Sequence, residues 1–289
     1  MALSPTEQTP RVAVVVPCFN DGETLPATLA SLRGEEQHEL VVVNDGSTDA
    51  ATLALLDELA ATGTRVLHRT NGGLSAARMT GLEATTAPYV MPLDADDLLG
   101  AGALARLADR LDAEPDAAAA WGDVEVFDGV ELRLRMPASL DPWLVTYLNE
   151  IPGTSLLRRS AVVEAGGWRL RGGYEDWDLW MSFAERGFRG VYVPTLMLRY
   201  RRTPGRMNED SITRHERIYA HLHELHPELF ASRAELRRSS PAPRRIKLLW
   251  PLIERLPGLS LYDRHRLCRF VRHPHQATGG RIGTAPKAA

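Results

Sequence analysis

The sequence predicts an α/β protein: a mixed, mainly parallel sheet flanked by helices, with a helical C-terminal extension. Three observations predict it. Short Val-rich runs recur along the first two thirds of the chain and end in turn residues. Each gives way to a segment with apolar residues at helical spacing, the alternation expected of βαβ units. After Tyr200 the strand patterns vanish, and Arg, His and Pro become frequent.

The elements follow in order. A polar, Pro-containing leader (1–10) precedes RVAVVVP (11–17), a nearly continuous apolar run that suits a strand buried on both faces. Leu25, Leu29 and Leu32 then fall at helical spacing. ELVVVND (39–45) is a second buried strand, followed by GSTD and a helix through Leu59. RVLHR (65–69) is a third, short strand, leading to NGGLSAARMTGLEA, a glycine turn entering a helix. APYVMPL (87–93) is the fourth, and GALARLADRL (102–111) is helical again. AAAAWGDVEVFDG (117–129) and VELRLRM (130–136) read as an antiparallel pair turned at Asp128-Gly129. In EDWDLWMSFAERG (175–187), Trp177, Trp180, Met181 and Ala184 share one helical face, and Gly187 closes the helix. GVYVP and LMLRYRR (190–202) are two further strands. Residues 211–238 are helical, SSPAP (239–243) is a linker, and RRIKLLWPLIERL (244–256) is a basic, apolar segment interrupted by Pro251. The last dozen residues have a disordered composition. The expected organisation is a leader (1–10), an α/β domain (11–203) and a basic extension (204–289).

The chain has 289 residues, 44% of them hydrophobic and 25% charged, which suits a soluble globular protein with a sizeable core. Its net charge of -3 hides an asymmetry. Residues 1–200 carry 16 Lys+Arg against 29 Asp+Glu, a balance of -13; residues 201–289 carry 18 against 8, a balance of +10. A basic tail on an acidic body points to an anionic partner for the tail. Two distant cysteines, Cys18 and Cys268, exclude a disulfide framework and any cysteine metal motif. No apolar run approaches the ~18 residues a membrane span needs. The expected location is cytoplasmic, with peripheral contact at the inner face of the membrane left open.

In open α/β sheets, ligands bind beyond the carboxyl ends of the strands. Here the strands end in Pro17-Cys18-Phe19-Asn20, Asn44-Asp45-Gly46-Ser47, Asn71-Gly72-Gly73 and Asp94-Ala95-Asp96-Asp97. Parallel strands would bring these loops to one rim. NDGSTD and NGGLS also read as plain turns with helix caps. The Asp-rich loop is harder to treat as structural, because like charges repel there and each is costly to desolvate. Carboxylates at a strand end suit Mg²⁺ or Mn²⁺, which uses one or two of them and takes its other ligands from phosphate and water. The first strand lacks GxGxxG, which argues against dinucleotide binding.

Four blocks, VVVPCFNDGETLPATLASL, LVVVNDGSTD, NGGLSAARMTGLEATTAPYVMPLDADD and GGYEDWDLWMSFAERGFRGVYVP, stand in order over about residues 11–202. Together they resemble the glycosyltransferases of family 2, with the GT-A fold. The resemblance implies a nucleotide-sugar donor on the rim, held by Pro17, Phe19, Asn20, Glu23, Asp45, Asn71, Gly73, Arg78, Asp94, Ala95 and Asp96. It implies Phe19 against the nucleobase and Asp45 on the base, commonly uracil. Asn71, Gly73 and Arg78 would lie near base and diphosphate. Asp94 would face the ribose, Asp96 with Asp94 would bind Mg²⁺ or Mn²⁺, and Asp97 would support them.

An acceptor hydroxyl also needs a base to take its proton. Glu175 and Asp176 open the Trp-rich helix, where acids equally serve the helix dipole. The resemblance implies Asp176 as catalytic base and Glu175 as a residue that orients or binds acceptor. It implies one in-line displacement with inversion, onto a carbohydrate or lipid-linked acceptor in cell-envelope glycan synthesis; nucleic acid is not expected as a partner. Two other functions compete: a sugar-phosphate nucleotidyltransferase, which would usually carry a Gly-rich basic loop where PCFNDGE stands, and a non-catalytic nucleotide-sugar-binding protein.

Weaker signals remain. Arg201, Arg202 or Arg206 could contact phosphate or merely begin the basic tail. HLHELH (221–226) resembles a metal cluster by composition only. Trp121, Trp143, Trp168 and Trp177 could line an acceptor groove or be buried. The segment 244–256 could lie on an anionic membrane, pack on the catalytic domain or form a dimer interface.

Overall fold

A computed structural model describes residues 9–129, 131–202 and 214–273. The chain divides into two compact units, Met1–Leu140 with Ile151–Thr203, and Asp141–Glu150 with Pro204–Ala289.

The first unit is a mixed sheet with helices. Its strands are β1 (Val12–Cys18), β2 (His38–Asn44), β3 (Arg65–His68), β4 (Tyr89–Pro92), β5 (Leu98–Leu99), β6 (Ala117–Phe127), β7 (Leu132–Leu134), β8 (Leu156–Arg158) and β9 (Arg189–Arg201). Their order is β3-β2-β1-β4-β8-β6-β9-β5, with β7 on β6. The helices are α1 (Leu25–Ser31), α2 (Ala50–Ala61), α3 (Leu74–Glu83), α4 (Ala103–Ala113), α5 (Arg159–Glu164) and α6 (Glu175–Glu185). Every residue of β1 is buried, as its unbroken apolar run requires.

Register positions the site. Parallel pairing sets Cys18 beside Asn44, and Asn44 beside His68. β4 runs parallel to β1 and ends at Pro92 opposite Val15. The loops after β1, β2, β3 and β4 therefore leave the same edge of the sheet. Beyond β4 the sheet turns antiparallel through β8 and returns to parallel at β6 and β9.

GVYVP and LMLRYRR prove to be one strand, β9, rather than two. Pro194, which lacks an N–H, lies where the pairing slips: Trp121 faces Tyr192, but Asp123 faces Leu196. The bulge absorbs the proline and the strand continues. Gly122 makes room for it, since a Cβ there would lie 2.5 Å from the Thr195 carbonyl oxygen.

The second unit comprises α7 (His215–Leu225), α8 (Pro227–Ala231), α9 (Arg233–Ser239), α10 (Arg244–Glu254) and α11 (Leu261–Arg272), with a 3₁₀ turn at Leu144–Thr146. Trp143, Leu144, Tyr147, Leu148, Ile246, Trp250 and Cys268 form its core. The Trp143 and Trp250 ring centroids are 5.6 Å apart, and the Trp250 indole N–H donates to the Cys268 carbonyl at 3.0 Å. Pro251 does not interrupt the helix: α10 runs through it. Burial of Ile246, Trp250 and Ile253 on one face offsets the hydrogen bond that proline cannot make. The leader beyond Pro10 toward the N-terminus (1–8), Arg206 and the last dozen residues lie outside the described residues.

Candidate active site

The first two loops are tied together. Asn20 adopts a positive φ of 58°, a conformation Asn tolerates better than most residues. Its Oδ1 accepts from the Thr48 and Asp49 backbone N–H groups at 2.8 and 2.9 Å, and its own N–H donates to Ser47 Oγ at 3.0 Å. Pro17 is buried in β1, whereas Phe19, just past its end, is 46% exposed. Glu23 is exposed nearby.

Asp45 is the hub of the second and third loops. Its carboxylate accepts from the Gly72 and Gly73 N–H groups at 3.0 and 2.7 Å and pairs with the Arg69 guanidinium. Three donors satisfy most of a carboxylate's acceptor capacity and leave Oδ2 with room for one more. Gly46, at φ 74°, passes so close that a Cβ would lie 2.7 Å from the Asn71 backbone N. Asn71 is exposed, and Gly73 (φ 84°) opens α3.

The carboxylates of the fourth loop go to three different places. Asp94 accepts from Arg78 Nη2 at 2.8 Å. Asp97 is buried, and its Oδ1 accepts from the Arg201 backbone N–H at 2.8 Å. Burial first, then the neighbouring Asp96 and Asp94 charges, hold its carboxyl well above the usual range. Asp96 sits partly exposed at the tip of the turn, its carbonyl accepting from Arg201 Nε at 2.9 Å. The turn is closed by an Asp97 N–H to Asp94 carbonyl bond of 3.1 Å. Buried Ala95 accepts from Thr28 Oγ1 at 2.9 Å.

Arg78 joins this loop to the start of α6. It is 2% exposed on α3, and its Nη1 reaches Glu175 at 3.4 Å. The Trp168 ring lies beneath the guanidinium, 5.9 Å from centroid to Cζ. Burial pushes the Glu175 carboxyl up to about 7, against the pull of Arg78; the charge of Asp176 pushes the same way as burial. Asp176 is half-buried and accepts from the Trp177 N–H at 2.8 Å. A Cβ on Gly153 would lie 3.2 Å from the Asp176 Cβ, so the 152–154 loop crosses directly over this acid.

The sequence-derived residues thus fall into two linked groups on one edge: Asn20, Asp45, Asn71 and Gly73, and Arg78, Asp94, Ala95, Asp96, Glu175 and Asp176. Three of the weaker signals read here as structural. Trp121, Trp143, Trp168 and Trp177 are all 4% exposed or less, so they are core residues and offer no groove wall. Arg201 is committed to Asp128 at 2.7 Å and to the Asp96 carbonyl. The 221–226 histidines diverge: His221 meets Glu224, and His223 stacks on Phe230. Arg69, Thr28 and Gly153 escaped sequence reading. Only Arg69, two residues before the Asn-Gly-Gly turn, carried a hint in its position.

Among the described residues no group of three or more His, Cys, Asp or Glu could hold a metal unaided. The donor set is nonetheless hard oxygen, and Asp96 is partly exposed. That chemistry fits a cation that takes one or two carboxylates and completes its shell with phosphate and water.

Comparison with known proteins agrees with this architecture. The glycosyl transferase family 2 model matches residues 13–168, and the chain belongs to that family. An uncharacterized glycosyltransferase of Mycobacterium tuberculosis is 31% identical over 195 residues, 62% of this chain and 82% of the relative. An uncharacterized protein of Sinorhizobium fredii is 31% identical over 209 residues, 68% of this chain. The alignment spans only 23% of that longer relative. Staphylococcus aureus TarS, solved with UDP-GlcNAc, superposes with a TM-score of 0.59 at 18% identity, covering 91% of this chain and 87% of the other. The mannosyltransferase PcManGT of Pyrobaculum calidifontis, solved with GDP-Man and Mn²⁺, gives 0.54 at 18% identity, covering 92% and 86%. The fold is GT-A.

Proposed function

We propose that the chain is an inverting glycosyltransferase that moves a sugar from a UDP-sugar to the hydroxyl of a carbohydrate or lipid-linked acceptor in cell-envelope glycan synthesis. One observation carries the reading. Buried Arg78 holds Asp94 of the Asp-rich turn and Glu175 of the acid pair on either side of a single guanidinium. A donor-binding loop and an acid that can take a proton are thereby held on one rim. The nucleotide sugars bound to TarS and PcManGT support a donor of this class.

Phe19 stacks on the nucleobase, and Asp45 accepts a base N–H at its less occupied oxygen. Asn20, Asn71 and Gly73 line the path of the diphosphate, with Pro17, Glu23 and Ala95 shaping the loops around it. Asp94 faces the ribose. Asp96, with Asp94, would hold Mg²⁺ or Mn²⁺, which when bound offsets the charge growing on the leaving diphosphate. Asp176 takes the proton of the acceptor hydroxyl as its oxygen attacks the anomeric carbon. The bond to the nucleoside diphosphate breaks from the opposite side, so configuration inverts. Glu175 orients Arg78 and the acceptor side of the rim.

The test is binding and hydrolysis of a panel of nucleotide sugars with Mn²⁺, Mg²⁺ or EDTA, on wild type and Asp96→Ala. Metal-dependent binding of one nucleotide sugar, lost in the variant, is the expected result. Pyrophosphate release from an NTP and a sugar phosphate, with no nucleotide sugar bound, would replace it with nucleotidyl transfer.

A further inference from the structure

α10 carries apolar side chains on its exposed side as well as on its buried face. At about 100° per residue, Ile246, Trp250 and Ile253 fall together and are buried in the second unit's core. Beside that face, over about 100° of the helix, lie Leu248, Leu249 and Leu252, which are 68, 41 and 58% exposed; Leu256, just past the helix end, is 40% exposed. α11, packed on α10 through the Trp250–Cys268 bond, adds Leu267 and Phe270 at 37 and 45%. Scattered exposed leucines need no explanation, but three along one side of one helix, with a fourth just past its end, do.

The charges around these side chains select the partner. On helical geometry, exposed Arg245 lies within the leucine stripe, and exposed Arg244 and Arg255 lie along its border. Exposed Arg266 and Arg269 accompany Leu267 and Phe270. No acidic side chain shares the leucine stripe; Glu254 is turned to Arg233. Residues 201–289 carry 18 Lys+Arg against 8 Asp+Glu. A second copy of the same face would set arginine against arginine, a repulsive match under two-fold symmetry. A bilayer rich in anionic lipid accepts both features at once, leucines in the acyl boundary and guanidinium groups at the headgroups. α10 has 11 residues, and no described helix is long and apolar enough to cross a membrane, so the contact is with the surface.

We propose that the exposed face of α10, extended by α11, is a docking surface for an anionic lipid bilayer. The proposal rests on the second unit alone and stands or falls independently of the transferase reading.

The test is co-sedimentation of the full chain with vesicles of phosphatidylcholine alone or with about 30% phosphatidylglycerol. The variants are Leu248→Asp/Leu252→Asp and Arg244→Ala/Arg245→Ala. Wild type should bind the anionic vesicles and bind phosphatidylcholine far more weakly. The leucine pair should lower the partition coefficient by at least about tenfold. The arginine pair should lower it by roughly tenfold or more, on anionic vesicles only. Both variants change exposed side chains, and circular dichroism checks that they fold. Failure of wild type to bind anionic vesicles would overturn the proposal. Equal binding by the leucine variant, or a wild-type dimer that the leucine variant splits into monomers without altering vesicle binding, would overturn it too.

Discussion

Arg78→Met offers the sharpest test of how the site is held together. The substitution keeps most of the side-chain volume and removes the cation between Asp94 and Glu175. Wild-type Glu175 has its carboxyl pushed up to about 7, from an ordinary 4.5, by burial against the opposing pull of Arg78. Between those values the fold keeps a proton that the unfolded chain releases. Stability present below pH 4.5 is therefore lost as the pH rises through about 7, by about 3 kcal/mol. Without Arg78 the carboxyl moves higher still, and the loss extends further up the pH scale. At pH 8.5 the variant must either bury an uncompensated carboxylate or hold a proton against the solvent. Breaking a buried pair in this way costs about 3–5 kcal/mol. At pH 5 Glu175 is neutral with or without Arg78. Only the bond to Asp94 and some packing are then lost, about 1–2 kcal/mol. Urea unfolding at both pH values, followed by tryptophan fluorescence, measures the difference. A penalty equal at the two pH values, or below about 1 kcal/mol at pH 8.5, would refute a charge-coupled role for Arg78.

Three further outcomes are expected. Gly46→Ala forces a side chain at φ 74° against the Asn71 backbone, so it should destabilise the fold by about 1–3 kcal/mol and weaken donor binding, seen by thermal melts and calorimetry. Gly153→Ala should press on Asp176 across the 3.2 Å approach and lower kcat by up to about tenfold, while the donor Kd stays unchanged in steady-state kinetics and calorimetry. In the second unit, burial, then the neighbouring His215, Arg233 and Arg269, hold His265 down at about 3, below its ordinary 6.5. The fold thus binds fewer protons there than the unfolded chain, and stability should fall as the pH drops from 6.5 toward 3; His265→Gln should flatten that slope in acid titrations of urea unfolding.

Much of the first unit was legible in the sequence because β1, β4 and the second half of β2 are buried on both faces. The valines of β1 and β2 announce themselves without any knowledge of their neighbours. The acid pair at the start of α6 and the Asp-rich turn were equally visible. Pairing was not. That β9 continues through Pro194 depends on a bulge against β6, a long-range fact. That α10 survives Pro251 depends on the core beneath Trp250. Tryptophan content could not say which rings are covered, and all four candidates for a groove are. Arg78 could be picked out by its block. Its link to a carboxylate 97 positions away could not, because periodicity carries no information about separate elements that meet.

The Asp-rich turn is anchored at every step. Leu93 N–H bonds Val15, Thr28 holds Ala95, Arg201 holds Asp96 and Asp97, and Leu98–Leu99 pairs with β9. Its conformational entropy is therefore lost when the chain folds, and an arriving ligand orders nothing there. The turn's negative charge is already answered within the fold: Arg78 pairs with Asp94, and the carboxyl of buried Asp97 is held well above the usual range. A cation bound there, as proposed, would meet a preformed turn, and its capture would depend on diffusion, orientation and ionic strength.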